Sequence, residues 1–186
     1  MKKMISVALA AAMVLAMFAG CAAGGTTETT AAPTVEATKP ALEGSLETII
    51  DKIYEHQSVE FGVGTIPVDL TDTSEEGLWA LKNYTGLDSA ELITEVAVSE
   101  AMIGAIPYSL VLVRAADAAN AQTVAESMKA GIDQRKWVCV EADDLKVCGY
   151  GDVVMLVMIG SEQGNAQSFV DAFGTVCGAE LDFVLE

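Results

Sequence analysis

The chain has 186 residues, 27 of them acidic and 10 basic, which gives a formal net charge of −17 at pH 7. A charge of this size and sign repels the phosphates of nucleic acids and the headgroups of anionic lipids, so it argues against either as a direct partner of the protein surface. Strong negative charge most often serves solubility, and the length suits one globular domain.

Residues 1–20 have the layout of a bacterial secretory signal peptide. Lys2 and Lys3 provide a positive start, and residues 4–20 follow as an apolar run in which Ser6 is the only polar side chain. Such a run is too short for a comfortable membrane span, whereas a charged start, a short apolar run and small residues before a cleavage site are typical of a signal. We therefore predict a signal peptide here.

Cys21 follows Ala19 and Gly20 directly and determines the kind of signal. A single thiol at this point resembles the lipobox of bacterial lipoproteins, in which the sulfur receives a diacylglyceryl group before the chain is cleaved in front of it. The resemblance implies that Cys21 is the lipidation site and that the protein is held at the extracytoplasmic face of the cell membrane. Plain secretion and an uncleaved membrane anchor are the alternatives.

Residues 22–41 consist almost entirely of Ala, Thr, Gly and Pro with a few charges, and they contain no aromatic residue. This composition cannot bury a core, so the segment is predicted to be a disordered, flexible tether. A coil of about twenty residues has a root-mean-square span of roughly 25 Å, enough to lift a domain clear of the lipid headgroups. Residues 42–186 are then predicted to form a single domain.

Two helices and a loop are predicted at the start of this domain. Apolar residues at helical spacing predict a first helix over residues 42–53, and Gly, Pro and Asp predict a loop over residues 58–73. Ser74 is predicted to cap a second helix that covers residues 74–84 and ends at Gly86.

The rest of the domain alternates between extended and helical patterns. Strands are predicted at residues 93–99, 106–113, 137–140, 145–148 and 153–159, and helices at residues 116–132 and from about Glu162 onwards. Asp143-Asp144 and residues 149–152 are predicted to form the turns of the last three strands. This order predicts an α+β fold with an antiparallel sheet of about five strands, covered on one side by amphipathic helices.

Four stretches of the chain are similar to those of a known family. The sequences are GLD at residues 86–88, LVLVRA at residues 110–115, IDQRKWVCV at residues 132–140 and GDVV at residues 151–154. They resemble Gram-positive lipoproteins that carry an uncharacterised domain of unknown function, and the resemblance covers residues 86–186. It implies the extracytoplasmic location and the α+β fold, but no activity.

Cys139 and Cys148 are the candidate disulfide. A hairpin that turns at Asp143-Asp144 would place the two cysteines opposite each other on adjacent strands, where side chains approach closely. An extracytoplasmic location permits a disulfide, whereas an anaerobic habitat would leave two thiols, so both states stay open. Cys177 is predicted to be a packing thiol on the apolar face of the last helix.

No catalytic, cofactor-binding or metal site is predicted from the sequence. His56, the only histidine, falls at the end of the first helix and is interpreted as a solvent-exposed residue rather than a general base. No serine has the flanking glycines of a nucleophile elbow, and one histidine with separated cysteines is not a familiar zinc pattern.

Two charged clusters have a functional and a structural interpretation. The loop at residues 69–76 contains Asp69, Asp72, Glu75 and Glu76, whose oxygens could gather around calcium, although the spacing is not that of an EF-hand. Carboxylates before a helix also stabilise the helix dipole. Arg135-Lys136-Trp137 could contact an anion or a partner, or could simply close a helix before a strand.

Together these features favour a non-catalytic module that binds an extracytoplasmic protein, peptide or cell-wall component. The alternative is a cell-envelope hydrolase or another enzyme whose acidic residues are distant in sequence and meet in space. A deep pocket with convergent carboxylates would favour the enzyme, whereas an exposed apolar patch or an open sheet edge would favour binding. The domain is short for a two-lobed solute-binding protein.

Overall fold

The computed structural model describes residues 41–186, and every structural statement below refers to this part of the chain. The predicted signal peptide, Cys21 and the tether up to residue 40 lie outside the described residues. The strands are β1 (Val63–Pro67), β2 (Ile93–Ala101), β3 (Tyr108–Ala115), β4 (Asp144–Tyr150), β5 (Val153–Ile159) and β6 (Phe183–Leu185). The helices are α1 (Leu46–His56), α2 (Glu75–Thr85), α3 (Ala121–Gly131) and α4 (Ala166–Cys177), with a 3-10 turn at Ala118–Asn120 before α3.

The described strands form one open antiparallel sheet in the order β1-β2-β3-β5-β4-β6. The expected α+β fold is confirmed. The predicted start and end of the second helix, α2, are also confirmed. The Ser74 hydroxyl accepts a hydrogen bond from the Gly77 backbone N–H, and Gly86 ends the helix in the left-handed conformation at φ 78°.

Helices cover both faces of the sheet, so the expectation of helices on one side is wrong. We call the side of Leu110 and Leu112 the front face; it packs against α1 and α4. The back face, on the side of Val111 and Val113, packs against α2 and α3. The physical reason is visible in β5, which is buried at every position. A continuous apolar strand needs cover on both faces, because successive side chains point to opposite sides.

The hairpin predicted around Asp143-Asp144 is wrong. Residues 137–140 form no strand, and β4 instead begins at Asp144, which pairs with Ile159 of β5. The chain turns at Gly151-Asp152, where Gly151 adopts a positive φ of 59°. The other side of β4 is occupied by β6, so the run at residues 137–140 has no free edge with which to pair.

Two edge strands were missed by the sequence analysis. β1 lies inside the predicted loop over residues 58–73 and pairs with β2 from Val63↔Ala101 to Pro67↔Ala97. Its Gly64 and Pro67 are the turn-forming residue types that concealed it, and an edge strand tolerates proline because one row of N–H groups needs no partner. β6 is only three residues long, which is too short for a periodic pattern.

Candidate functional site

The structure does not bring the candidate disulfide together. Cys148 lies in β4, fully buried, where its backbone partners are Met155 and Val184. Cys139 is exposed in the loop between α3 and β4, and both are free thiols. Burial raises the pKa of the Cys148 thiol well above its usual range. Cys177 is half-buried and packs against the front core, which also contains Cys148.

The acidic loop before α2 uses its carboxylates in local hydrogen bonds. Asp69 Oδ1 accepts from the Thr71 backbone N–H at 2.8 Å and from its hydroxyl at 2.7 Å. Asp72 Oδ1 accepts from the Ser74 N–H at 2.9 Å. These bonds lower the pKa of both aspartates. Across residues 41–186, the structure shows no group of three or more His, Cys, Asp or Glu side chains placed to hold a metal ion.

The Arg135-Lys136 pair does not form an exposed basic patch. The Lys136 ammonium is almost fully buried and lies 2.5 Å from Glu100 Oε1 and 3.4 Å from Ser109 Oγ. Burial lowers the pKa of Lys136, while Glu100 acts in the opposite direction. Arg135 forms an ion pair with Glu141 at 2.8 Å. Both cations therefore pair within the chain, although the Arg135 side chain is 75% exposed, and the fully buried Ser109 is closed to a substrate.

Arg114 fixes the point at which the chain enters the domain. Its guanidinium forms ion pairs with Glu95 and Asp152, each at 3.1 Å. It also donates to the backbone carbonyls of Leu42 at 3.2 Å and Gly44 at 2.9 Å. The second Glu95 oxygen accepts from the N–H of the first α1 residue at 2.8 Å. These contacts hold the start of α1 against the end of β3.

A groove beside α2 is the most site-like surface of the described residues. We call the α2 groove the set of three adjoining cavities between α2, the end of α3 and the connection over residues 86–92. The cavities have volumes of about 580, 540 and 290 Å³, and Asp88 borders all three. The groove lies on the back-face side, where α2 and α3 pack against the sheet.

Large apolar side chains line this groove without being buried. Trp79 is 64% exposed and Leu78 is 46% exposed on α2, and both border the cavity of about 540 Å³. Leu92, at 41% exposure, borders the cavity of about 580 Å³. An exposed tryptophan next to a concave surface is unusual, because burial of its ring is strongly favourable. Trp79 was not among the site residues predicted from the sequence. In the structure, Leu81 and Thr85 are the buried residues of α2, and Trp79 is left at the surface.

The groove is also strongly acidic. The carboxylates that line the three cavities are Asp69, Asp72, Glu75, Asp88, Glu91 and Asp133. Lys82 is the one cation among the lining residues, and its ammonium lies 2.5 Å from Asp88. An apolar floor with an acidic rim is an arrangement suited to holding a ligand by contact and charge.

The last candidate residue from the sequence is His56. His56 is the last residue of α1 and is exposed, as the interpretation of a helix-end residue requires. None of the described helices is long and apolar enough to cross a membrane.

Comparisons with known protein families, with curated proteins and with solved structures found no match.

Proposed function

We propose that this protein is a membrane-anchored extracytoplasmic lipoprotein whose domain binds a protein, peptide or cell-wall component in the α2 groove without catalysing a reaction. The observation that carries the binding function is the exposure of Trp79 and Leu78 above a cavity of about 540 Å³. Tryptophan is enriched among the residues that dominate binding energies at interfaces. Contiguous exposed apolar side chains on a soluble domain are typical of interaction sites.

The carboxylates of the groove favour binding over hydrolysis. Glu75, Asp88 and Asp133 all border the same cavity, which is the one observation that supports an acidic enzyme. All three are exposed to solvent. A catalytic carboxylic acid is usually placed in a water-poor pocket that favours its neutral form, and this rim does not provide one.

The lipid anchor is supported by the sequence of the first 21 residues and by the resemblance to Gram-positive lipoproteins. Arg114 ties Leu42 and Gly44 to the sheet, so that a tether that precedes them would have a fixed point of attachment on the domain. The lipoprotein family remains a proposal that rests on the stretches quoted above.

The anchor is tested by Cys21→Ala. We expect this variant to leave the detergent-extractable membrane fraction or to accumulate as an unprocessed precursor, because the acylated sulfur supplies the attachment. The measurement is membrane fractionation with immunoblotting of cells that express the wild type or the variant. Unchanged processing and unchanged membrane association would refute the lipoprotein proposal.

The binding function is tested by site-specific photo-cross-linking in the protein's own envelope. A photoreactive amino acid at position 79 is expected to give discrete cross-linked species, because this position lies at the proposed contact. The control carries the same amino acid at position 52, since Lys52 is exposed on α1 across the sheet from the groove. Equal products at both positions, or none at position 79, would contradict a site in the groove.

A further inference from the structure

The charge of the α2 groove indicates the chemistry of its ligand, and this inference rests on the proposed binding function. Six carboxylates line the groove against one lysine, a higher ratio of acidic to basic residues than the 27 to 10 of the whole chain. Lys82 is already occupied by Asp88. An anionic ligand would meet repulsion along the whole rim, whereas a cationic ligand would be attracted to it.

The apolar part of the groove suits the same class of ligand. The face of the Trp79 ring carries negative charge density and attracts an ammonium or guanidinium group. Lysine and arginine carry long apolar stems below their charged ends, which can pack on Leu78 while the charge reaches a carboxylate. Trp79, Leu78 and Glu75 border one cavity, so a single basic side chain could satisfy all three contacts.

We propose that the α2 groove binds a basic polypeptide segment, in which lysine and arginine side chains contact Trp79 and pair with Glu75 and Asp133. The three adjoining cavities extend from Asp69 to Asp133 and together exceed the size of one ammonium group, which favours a segment of several residues over a small amine. Asp88, at the meeting point of the cavities, remains paired with Lys82.

The first test is a titration of the full lipoprotein in nanodiscs of uncharged lipid with three peptides: hexalysine, hexaglutamate and hexaserine. The readout is the indole N–H signal of each tryptophan in NMR spectra, and the chain contains two. Hexalysine should shift the Trp79 signal more than the signal of Trp137, which lies against Lys136 and borders none of the three cavities. Hexaglutamate and hexaserine should leave the Trp79 signal in place.

The second test measures the affinity of labelled hexalysine for charge variants by fluorescence anisotropy. The double variant Glu75→Gln, Asp133→Asn should bind about three- to tenfold more weakly, as expected for the loss of two exposed ion pairs. The matched control, Asp51→Asn with Glu55→Gln, removes the same charge from exposed positions on α1 and should change the affinity by less than about twofold. Trp79→Leu, which keeps an apolar side chain, should weaken binding about two- to fivefold.

The outcomes separate this inference from the proposed function. Equal loss of affinity in the groove and control variants would show attraction to net charge alone and would overturn the inference. A Trp79 signal that responds to hexaserine or hexaglutamate as strongly as to hexalysine would overturn it too, but would leave a binding groove. If no peptide shifts the signal, the basic segment is wrong; cross-linking at position 79 then decides whether the groove binds anything else.

Discussion

At the scale of single residues, the loop between α3 and β4 concentrates unusual features. Val138 has a positive φ of 67° and is 93% exposed, although a β-branched residue strongly disfavours this conformation. Two hydrogen bonds between Gln134 and Ala142 close the loop. The Ala142 backbone N–H donates to the Gln134 carbonyl at 3.0 Å, and the Gln134 side-chain amide donates to the Ala142 carbonyl at 2.6 Å. Lys136 adds a buried ion pair to Glu100. These contacts hold the loop firmly enough to tolerate strain at its tip.

The two cysteines on either side of Ala142 are expected to react very differently. The experiment uses a chain that begins at residue 41 and therefore lacks Cys21. In this chain, Cys139 should be alkylated by iodoacetamide in the native state, since it is exposed. Cys148 should react only after unfolding, because burial removes access and raises the pKa of its thiol. Mass spectrometry of peptides after timed alkylation measures both. A Cys139–Cys148 disulfide in non-reduced peptides would contradict the strand pairing described here.

At the scale of elements, a polar network joins α1 to β2 and β3 across the front core. The Tyr54 hydroxyl lies 2.7 Å from Ser99 Oγ and 2.8 Å from the Tyr108 hydroxyl. Ser99 and Tyr108 are fully buried. Each hydroxyl therefore depends on its neighbours for hydrogen bonds, which fixes the position of α1 along the strands more sharply than apolar packing alone.

This network predicts a loss of stability at alkaline pH. Burial raises the pKa of Tyr54 and raises the pKa of Tyr108 further, so the folded protein keeps phenol protons that the unfolded chain releases above about pH 10. The stabilisation by each tyrosine is complete below that pH and falls above it, by up to about 1.4 kcal/mol per pH unit and group. Urea denaturation between pH 8 and 11.5 measures the slope.

The matched variants for this prediction are Tyr54→Phe and Tyr108→Phe. Each should lose stability at pH 8 by about 1 to 3 kcal/mol, because a buried hydroxyl partner is left unsatisfied, and each should show a shallower decline above pH 10. Lys136 acts in the opposite direction, since its lowered pKa makes stability rise as pH approaches 10.5. This contribution is common to all variants and cancels in the comparison. If the free energy of unfolding of the variants fell with pH as steeply as that of the wild type, the decline could not be assigned to these tyrosines.

At the scale of the whole molecule, the sequence could predict those parts of the fold that depend on local signals. The cap at Ser74 and the closing glycine at Gly86 are such signals, and α2 lies between them as expected. Strand pairing is decided by competition between distant segments. The edge of β4 therefore pairs with β6 rather than with residues 137–140. The groove was beyond prediction for the same reason, because α3 and the connection after α2 meet only in the folded chain.

The fold also explains where a tether can end without weakening the domain. Arg114, which is largely buried, uses the carbonyls of Leu42 and Gly44 as acceptors, and Ser45 caps α1 by accepting from the Thr48 N–H. Residues 42–45 therefore belong to the domain in energetic terms, although they precede its first helix.

The last prediction compares two truncated chains with the mature protein. A chain that begins at Ala41 should have nearly the same free energy of unfolding, because the predicted tether contributes few native contacts. A chain that begins at Leu46 should lose about 2 to 4 kcal/mol, since it lacks the α1 cap and leaves two donors of Arg114 without their acceptors. Ser45→Ala in the longer chain isolates the cap and should cost about 1 kcal/mol. Urea denaturation gives all three values. A markedly lower stability for the chain from Ala41 would mean that the tether packs on the domain, whereas equal stability for both truncations would show that Arg114 does not anchor the entry of the chain.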